Sequence, residues 1–386
     1  MDFELADWQR AASDAFADYL AREVAPIVGA HERERRLPPR EMVRAMSGYG
    51  LLGGLLPEAL GGQGLDHVTY GTLLAQLAGT WASLRSMIST SNLVLSIIAE
   101  RGSAEQRERF LPGLIRGETL AFFGLTEPNV GSDASGVETR AERDPASGGW
   151  RLRGRKLYIS NGVHADLGVV FARTGSGADH AVSAFIVERG MAGFSAREVH
   201  AMGMHCCPLG ELLFDDVLLP ADNMIGAEGQ AFAIAKHYLN LGRCFVAYVC
   251  AGVSEAAYKE ACRYAGQRQQ FGRPIGQFQL VQQMVADMMT RVESSRLLAA
   301  RAADALDRKS ADAQRWCSMA KRHNSDAVLR VCEDAMQVLG GAGYTSDFPL
   351  ERHYRDVRHL AIAEGSNQIQ ALLLAQGELG LSALRG

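Results

Sequence analysis

The sequence predicts an α+β protein, with a helical N-terminal part, a middle part of short strands and a helical C-terminal part. Three observations carry this. Apolar residues recur at helical spacing up to about Leu120. Short apolar runs punctuated by Gly, Asn, Asp and Pro then fill Ala121 to about Gly229. Helical periodicity returns after that and lasts to the end. The expected domains are 1–120, 121–231 and 232–386, with no internal repeat and no low-complexity linker.

The opening MDFELADWQR AASDAFADYL reads as an amphipathic helix. Pro57–Gly64 is turn chemistry between two helices. Ser103-Ala-Glu-Gln106 is a capping box, and Phe110, Leu111, Leu114 and Ile115 follow it at helical spacing. Trp150–Leu152, Leu157–Ile159, Leu167–Ala172, Val182–Val187 and Glu211–Leu219 read as strands of a small antiparallel sandwich or barrel. In Gly276–Leu306 a stripe of Leu280, Val281, Met284, Val285, Met288 and Val292 is expected to pack in the core of a helical bundle.

A chain of 386 residues, 47% hydrophobic and 22% charged, can bury a sizeable core without staples. Its net charge of -4 offers no footprint for nucleic acid. The N-terminus has no basic segment followed by an apolar one. The longest apolar-looking run, Cys244–Val253, is too short to span a bilayer, so a soluble, cytoplasmic protein without membrane contact is expected. Seven cysteines without a C-x-x-C pair point to reduced thiols. Cys206 and Cys207 follow His205 but read as loop or core thiols, and no histidine spacing suggests a metal site. No G-x-G-x-x-G after a strand, Walker loop or G-x-S-x-G elbow is present, which disfavours nicotinamide, ATP and serine-hydrolase chemistry.

Four polar clusters stand out. Leu125-Thr-Glu-Pro-Asn-Val-Gly-Ser-Asp133 gathers hydroxyls and free backbone N–H groups on a loop able to cradle phosphate or carbonyl oxygens. Lys156–Gly162 is a strand ending in a turn. Gln267–Ile275 sets Arg268 beside Phe271 and a helix-stopping Gly and Pro; such an arginine either neutralises a pyrophosphate or is a solvated helix end. Ala363–Gln370 places Glu364 before a Gly-Ser-Asn turn and a helix. Spacing alone leaves Glu364 as either a pre-helix acid or a functional base.

Together with Gln337–Tyr344, these clusters resemble the acyl-CoA dehydrogenase family, in the family's order and from Phe3 to about Leu379. The resemblance implies an N-terminal α domain, a middle antiparallel β domain and a C-terminal four-helix bundle, with FAD between the last two. It implies cofactor contacts from Phe123, Leu125, Thr126, Gly131 and Ser132. Tyr158 stands where the family usually has a tryptophan against the flavin, and Ser160 where a threonine contacts flavin N5. Arg268, Phe271, Gln279, Gln337, Gly340 and Gly341 match positions that reach the FAD of a neighbouring subunit, which implies a homotetramer. Ser366 and Gln368 match further cofactor contacts. Ser132, Arg243 and Gly365 match the thioester-binding set, and Glu364 matches the carboxylate that takes the α-proton. Gly242 stands where a subset of the family carries its base instead.

The implied reaction is FAD-dependent α,β-dehydrogenation of an acyl thioester, with an electron-transfer flavoprotein as a fitting acceptor. A poor carbon acid needs a carboxylate whose proton affinity is raised in an apolar pocket, here expected from Ala361, Ile362 and Ala363. Ala363 replaces a common aromatic and Asn240 a common Asp. Met202–Leu209 resembles relatives acting on carrier-protein substrates, so CoA and carrier-protein thioesters both stay open. A flavin oxidase or monooxygenase on the same fold would typically lack the base, and a nucleic-acid-binding relative conflicts with the charge. Glu351 is expected to be a solvated charge.

Overall fold

The computed structural model describes residues 4–175 and 181–383; Phe3, where the family resemblance begins, lies outside them. The N-terminal part consists of α1 (Asp7–Tyr19), α2 (Ala25–Glu34), α3 (Arg40–Gly48), α4 (His67–Thr80), α5 (Ala82–Arg101) and α6 (Ala104–Ile115). Ser103 caps α6: its Oγ accepts from Gln106 N while Gln106 Oε1 accepts from Ser103 N, the reciprocal pair read from the sequence. α5 is long and apolar enough to cross a membrane by length and composition, which the sequence reading overlooked. Its side chains are almost all buried inside the protein, so it is a core helix.

The middle part is an eight-stranded sheet among the described residues: β1 (Ala121–Gly124), β2 (Arg140–Arg143), β3 (Trp150–Ser160), β4 (Leu167–Arg173), β5 (Val182–Glu188), β6 (Phe194–Val199), β7 (Leu209–Leu219) and β8 (Met224–Ile225). Its order is β6-β7-β3-β2-β4-β5-β8, with β1 on β4. The sheet is mixed rather than antiparallel throughout, because β1 and β2 both meet β4 in parallel. The chain reaches β1 from α6 and β2 from a long loop, so neither arrives at β4 through a hairpin. The runs around Leu152 and Leu157 are one strand, carried past its irregularities by Gly154, where a Cβ would lie 2.7 Å from Thr139 Cα.

The C-terminal part holds α7 (Ala231–Gln267), the hairpin β9 (Gln269–Gln270) and β10 (Arg273–Pro274), α8 (Gln279–Asp307), α9 (Ala313–Leu339), α10 (Leu350–Val357) and α11 (Asn367–Leu379). α7, α8 and α9 pack on one another and α11 lies along α9, the expected four-helix bundle. The predicted stripe on α8 is only partly core. Met288 and Val292 are buried and Val281, Met284 and Val285 pack partly against the core, whereas Leu280 is 75% exposed. Phe271 and Gly272 take positive φ at the tip of the β9–β10 hairpin, and Phe271 is 93% exposed.

The loop before β7 is tied to α10. Asp356 Oδ1 accepts from Met204 N at 2.6 Å, and Gly203 lies so close that a Cβ would sit 2.6 Å from the Arg355 carbonyl carbon. Cys206 and Cys207 are core thiols here. Glu351 is not a solvated charge: it pairs with Arg355 at 2.7 Å and is largely covered. Burial, with Glu32 nearby, raises the Asp356 carboxyl to about 7 against the pull of Met204 N–H, Arg352 and Arg355. Its unfolded counterpart titrates near the ordinary value of 3.8. The folded state therefore holds the extra proton between those pH values, and wild-type stability falls as pH rises through that window. Asp356→Asn keeps an oxygen for Met204 and removes the titration. Thermal melts should show the variant gaining stability over wild type from pH 4 to pH 7 and keeping the gain at pH 8; a difference independent of pH would count against this account.

Candidate active site

Two strand ends form the first half of the site. Lys156 on β3 and Glu127 on the loop after β1 form an ion pair of 2.6 Å with side chains 0% and 1% exposed. Lys156 Nζ also donates to Leu125 O at 3.1 Å, and Glu127 accepts from Glu138 N and Thr139 N. Leu157 N donates to Thr126 O. The loop from Leu125 is thereby fixed to the strand that carries Tyr158 and Ser160. Burial pushes Lys156 down to about 8 despite Glu127. Burial works to raise Glu127, but Lys156, Thr139 and Glu138 outweigh it and hold the carboxyl below its usual range.

The register of β3 against β7 slips between Lys156 and Ile159. Within that bulge Tyr158 takes φ 60, and its ring is turned outward and is 58% exposed. Asn161, also at positive φ, is fully buried and donates Nδ2 to Met87 O and Ala121 O, locking the strand end onto α5 and β1. The hydroxyls of Thr126, Ser132 and Ser160 make no hydrogen bond among the described residues. Gly131 is exposed, and a Cβ there would meet nothing within 4 Å. Leu125 is buried at the start of this loop, and Phe123, the penultimate residue of β1, is tilted against Phe171.

The second half is the turn before α11. Glu364 takes φ 57 and Gly365 φ 82, two left-handed residues in succession that swing the chain into α11. The turn's carbonyls are held from three sides. Arg243 Nε donates to Glu364 O at 3.1 Å, Lys321 Nζ to Gly365 O at 2.9 Å, and Gln370 Nε2 to both. Lys321 also donates to Asn367 Oδ1, and Ser366 caps α11 through Ile369 N. The Glu364 N–H makes no hydrogen bond among the described residues. Its carboxylate lies against Gly242 of α7, where a Cβ would be 2.9 Å from the carboxyl carbon. Oε2 is buried without a partner. Burial raises the Glu364 carboxyl, opposed by Arg243, Lys321 and Arg85.

The apolar surroundings of Glu364 differ from the expected ones. Ile362 is 61% exposed, because the turn leaving α10 points it outward, and the cover comes from Gly242 and the helices beneath. Arg268, Gly340 and Gly341 line one open groove with Tyr264 and Leu339. Phe271, Gln279, Gln337 and Gln368 are exposed around the bundle. No hydrogen bond or ion pair joins the Arg268 groove to the Glu364 turn among the described residues.

Sequence reasoning missed Lys156, Glu127, Lys321 and Arg85 as site groups, and saw Gly242 only as a vacant base position. The signal available was a lysine in an otherwise strand-like run and an arginine amid the apolar positions of α5. Among the described residues no group of His, Cys, Asp and Glu is placed to hold a metal ion. The residues fit a flavin dinucleotide. Unengaged hydroxyls, an outward aromatic and open glycine backbone at Gly131, Gly340 and Gly341 face space rather than protein.

The comparisons with known proteins agree with this geometry. Residues 6–118 match the acyl-CoA dehydrogenase N-terminal domain, 122–217 the middle domain and 229–379 the C-terminal domain. An acyl-CoA dehydrogenase of Bacillus subtilis (strain 168) is 37% identical over 366 residues, covering 94% of this chain and 96% of the relative. The structure of butyryl-CoA dehydrogenase from Megasphaera elsdenii aligns with TM-score 0.93 at 35% identity, covering 98% and 100%. A glutaryl-CoA dehydrogenase from Mycobacterium smegmatis in complex with FADH2 aligns with TM-score 0.92 at 28% identity, covering 99% and 97%.

Breaking the Lys156–Glu127 pair by Lys156→Met should cost about 3–5 kcal/mol, because Glu127 would be left charged and buried. The loop bearing Thr126 should loosen with it. Denaturant melts should show the loss, and the purified variant should release flavin on gel filtration where wild type keeps it. A variant of wild-type stability would remove the pair from this role.

Proposed function

The chain belongs to the acyl-CoA dehydrogenase family, and on that premise we propose that Glu364 is the base of its reaction. As a member it is an FAD-dependent oxidoreductase that dehydrogenates an acyl thioester. The observation that carries the reading is the Glu364 carboxylate itself: buried, unpartnered at Oε2 and seated against a glycine, with its backbone fixed by two cations.

Removing a proton from the α-carbon of a thioester asks for a carboxylate of raised proton affinity, which burial supplies. Arg243, Lys321 and Arg85 keep it ionised enough to act, and the left-handed turn holds it still. The free N–H of Glu364 is placed to donate to the thioester oxygen as negative charge develops there. FAD, when bound, supplies the acceptor for the β-hydride. Thr126, Ser132, Tyr158 and Ser160 position its ring from the sheet side, and Gln368 and Ser366 from the α11 side. Arg268, Gln279, Gln337, Gly340 and Gly341 serve the flavin of a neighbouring copy, and Phe271 stands out from the protomer toward it.

That division makes the enzyme a homotetramer, supported by the exposed Phe271, Leu280 and Tyr344 on one end of the bundle. An electron-transfer flavoprotein is its acceptor. Its seven free cysteines fit the cytoplasm. The same chemistry serves a thioester on CoA or on a carrier protein; the Met202–Leu209 loop resembles carrier-protein-dependent relatives, and a substrate panel containing both forms separates them.

Glu364→Gln keeps size and polarity but removes the base. Flavin reduction under saturating thioester should fall by roughly 10²–10⁴-fold, while the protein stays yellow and still binds ligand. Near wild-type reduction, or loss of FAD with the substitution, would overturn the assignment.

Light scattering should give a tetramer, and Arg268→Ala should lower flavin retention without changing the protomer fold by circular dichroism. A monomer that keeps its flavin on dilution would contradict the shared site.

A further inference from the structure

Three cations face Glu364, and they are not alike. Arg243 and Lys321 donate to backbone carbonyls of the Glu364 turn. Arg85, on α5, donates to nothing: its Nε and Nη2 are both buried and unpartnered, and the residue is only 7% exposed. Those two N–H groups form one edge of the guanidinium, the edge that receives both oxygens of a carboxylate side-on. One turn along the same helix face, Ser89 Oγ is also buried and unpartnered. The charge of Arg85 is felt by Glu364, Asp356, His359, Cys207 and Cys250, which places it under the base, where α5 meets α7 and the α10 end. No anionic side chain among the described residues pairs with it.

A buried cation with two idle donors is costly unless something arrives to meet it. Glu364 does not fill that place: its Oε2 is unpartnered and it makes no ion pair with Arg85. A hydroxyl would leave the charge uncompensated, and an amine would be repelled.

We propose that the acyl group of the substrate carries its own carboxylate, received side-on by the Nε–Nη2 edge of Arg85 with Ser89 beside it. The substrate is then the half-thioester of a short dicarboxylic acid, and Arg85 sets specificity while Glu364 does the proton transfer. This rests on the thioester-dehydrogenase reading above and narrows it.

The test uses the holoenzyme and pairs of thioesters of equal chain length, one plain and one ending in a carboxylate, each on CoA and on a carrier protein. At one chain length, wild-type kcat/KM should favour the carboxylate member by on the order of 10- to 100-fold. Arg85→Met should bring the ratio to about one or below, and Arg85→Lys, which keeps charge but not the paired donors, should fall between. A wild-type ratio of one or less at every length, or a ratio that Arg85→Met leaves unchanged, overturns the proposal while leaving the dehydrogenase reading intact. Titrations followed by the flavin spectrum read binding without turnover. If no thioester reduces the flavin, the dehydrogenase reading falls, and the titrations still decide Arg85: tighter binding of the carboxylate members, lost in Arg85→Met, supports it, and equal binding refutes it.

Discussion

The Lys156–Glu127 pair is the constraint on which the sheet side of the site depends. Neither charge reaches water, so each is tolerable only while the other is in place. The pair carries further bonds with it: Lys156 to Leu125 O, Glu127 to the N–H groups of Glu138 and Thr139. A loop rich in Gly, Pro, Asn and Ser, which would otherwise sample many shapes, is thereby held beside the bulge that turns Tyr158 outward. Asn161 extends the same hold into α5 and β1.

The opposite wall is built by a different balance. Glu364 sits in a left-handed conformation that a non-glycine residue adopts at a cost, and the bonds from Arg243, Lys321 and Gln370 to the turn's carbonyls offset it. The carboxylate then has room only because α7 offers Gly242 there. Burial pushes its proton affinity up and three cations push it down, so the group is poised by opposing effects of similar kind. Lys321 is itself lowered to about 8 by burial, which shows how little solvent reaches this region.

The two walls belong to different parts of the chain, and among the described residues no bond links the Glu364 turn to the Arg268 groove. The exposed hairpin tip at Phe271 and the exposed Leu280 lie on the helical part, away from the core that covers α5. Such exposed apolar tips are the observation on which the proposed oligomer rests.

The helical–strand–helical order and the capping box at Ser103 were legible in the sequence, through local periodicity and a short run of residues in fixed order, whereas spacing alone left Glu364 as either a pre-helix acid or a functional base. The sequence could not show that the sheet is mixed, since β1 and β2 meet β4 through long connections that leave no local trace. Nor could it show that Leu280 and Ile362 face outward, because periodicity gives the face of an element but not what lies opposite. The partners of Lys156, Arg243 and Lys321 come from segments 29 to 121 positions away. Pairing and burial of charge are properties of the folded interior, so only tertiary structure decided which cations hold the Glu364 turn, which holds the loop and which is left with nothing to hold.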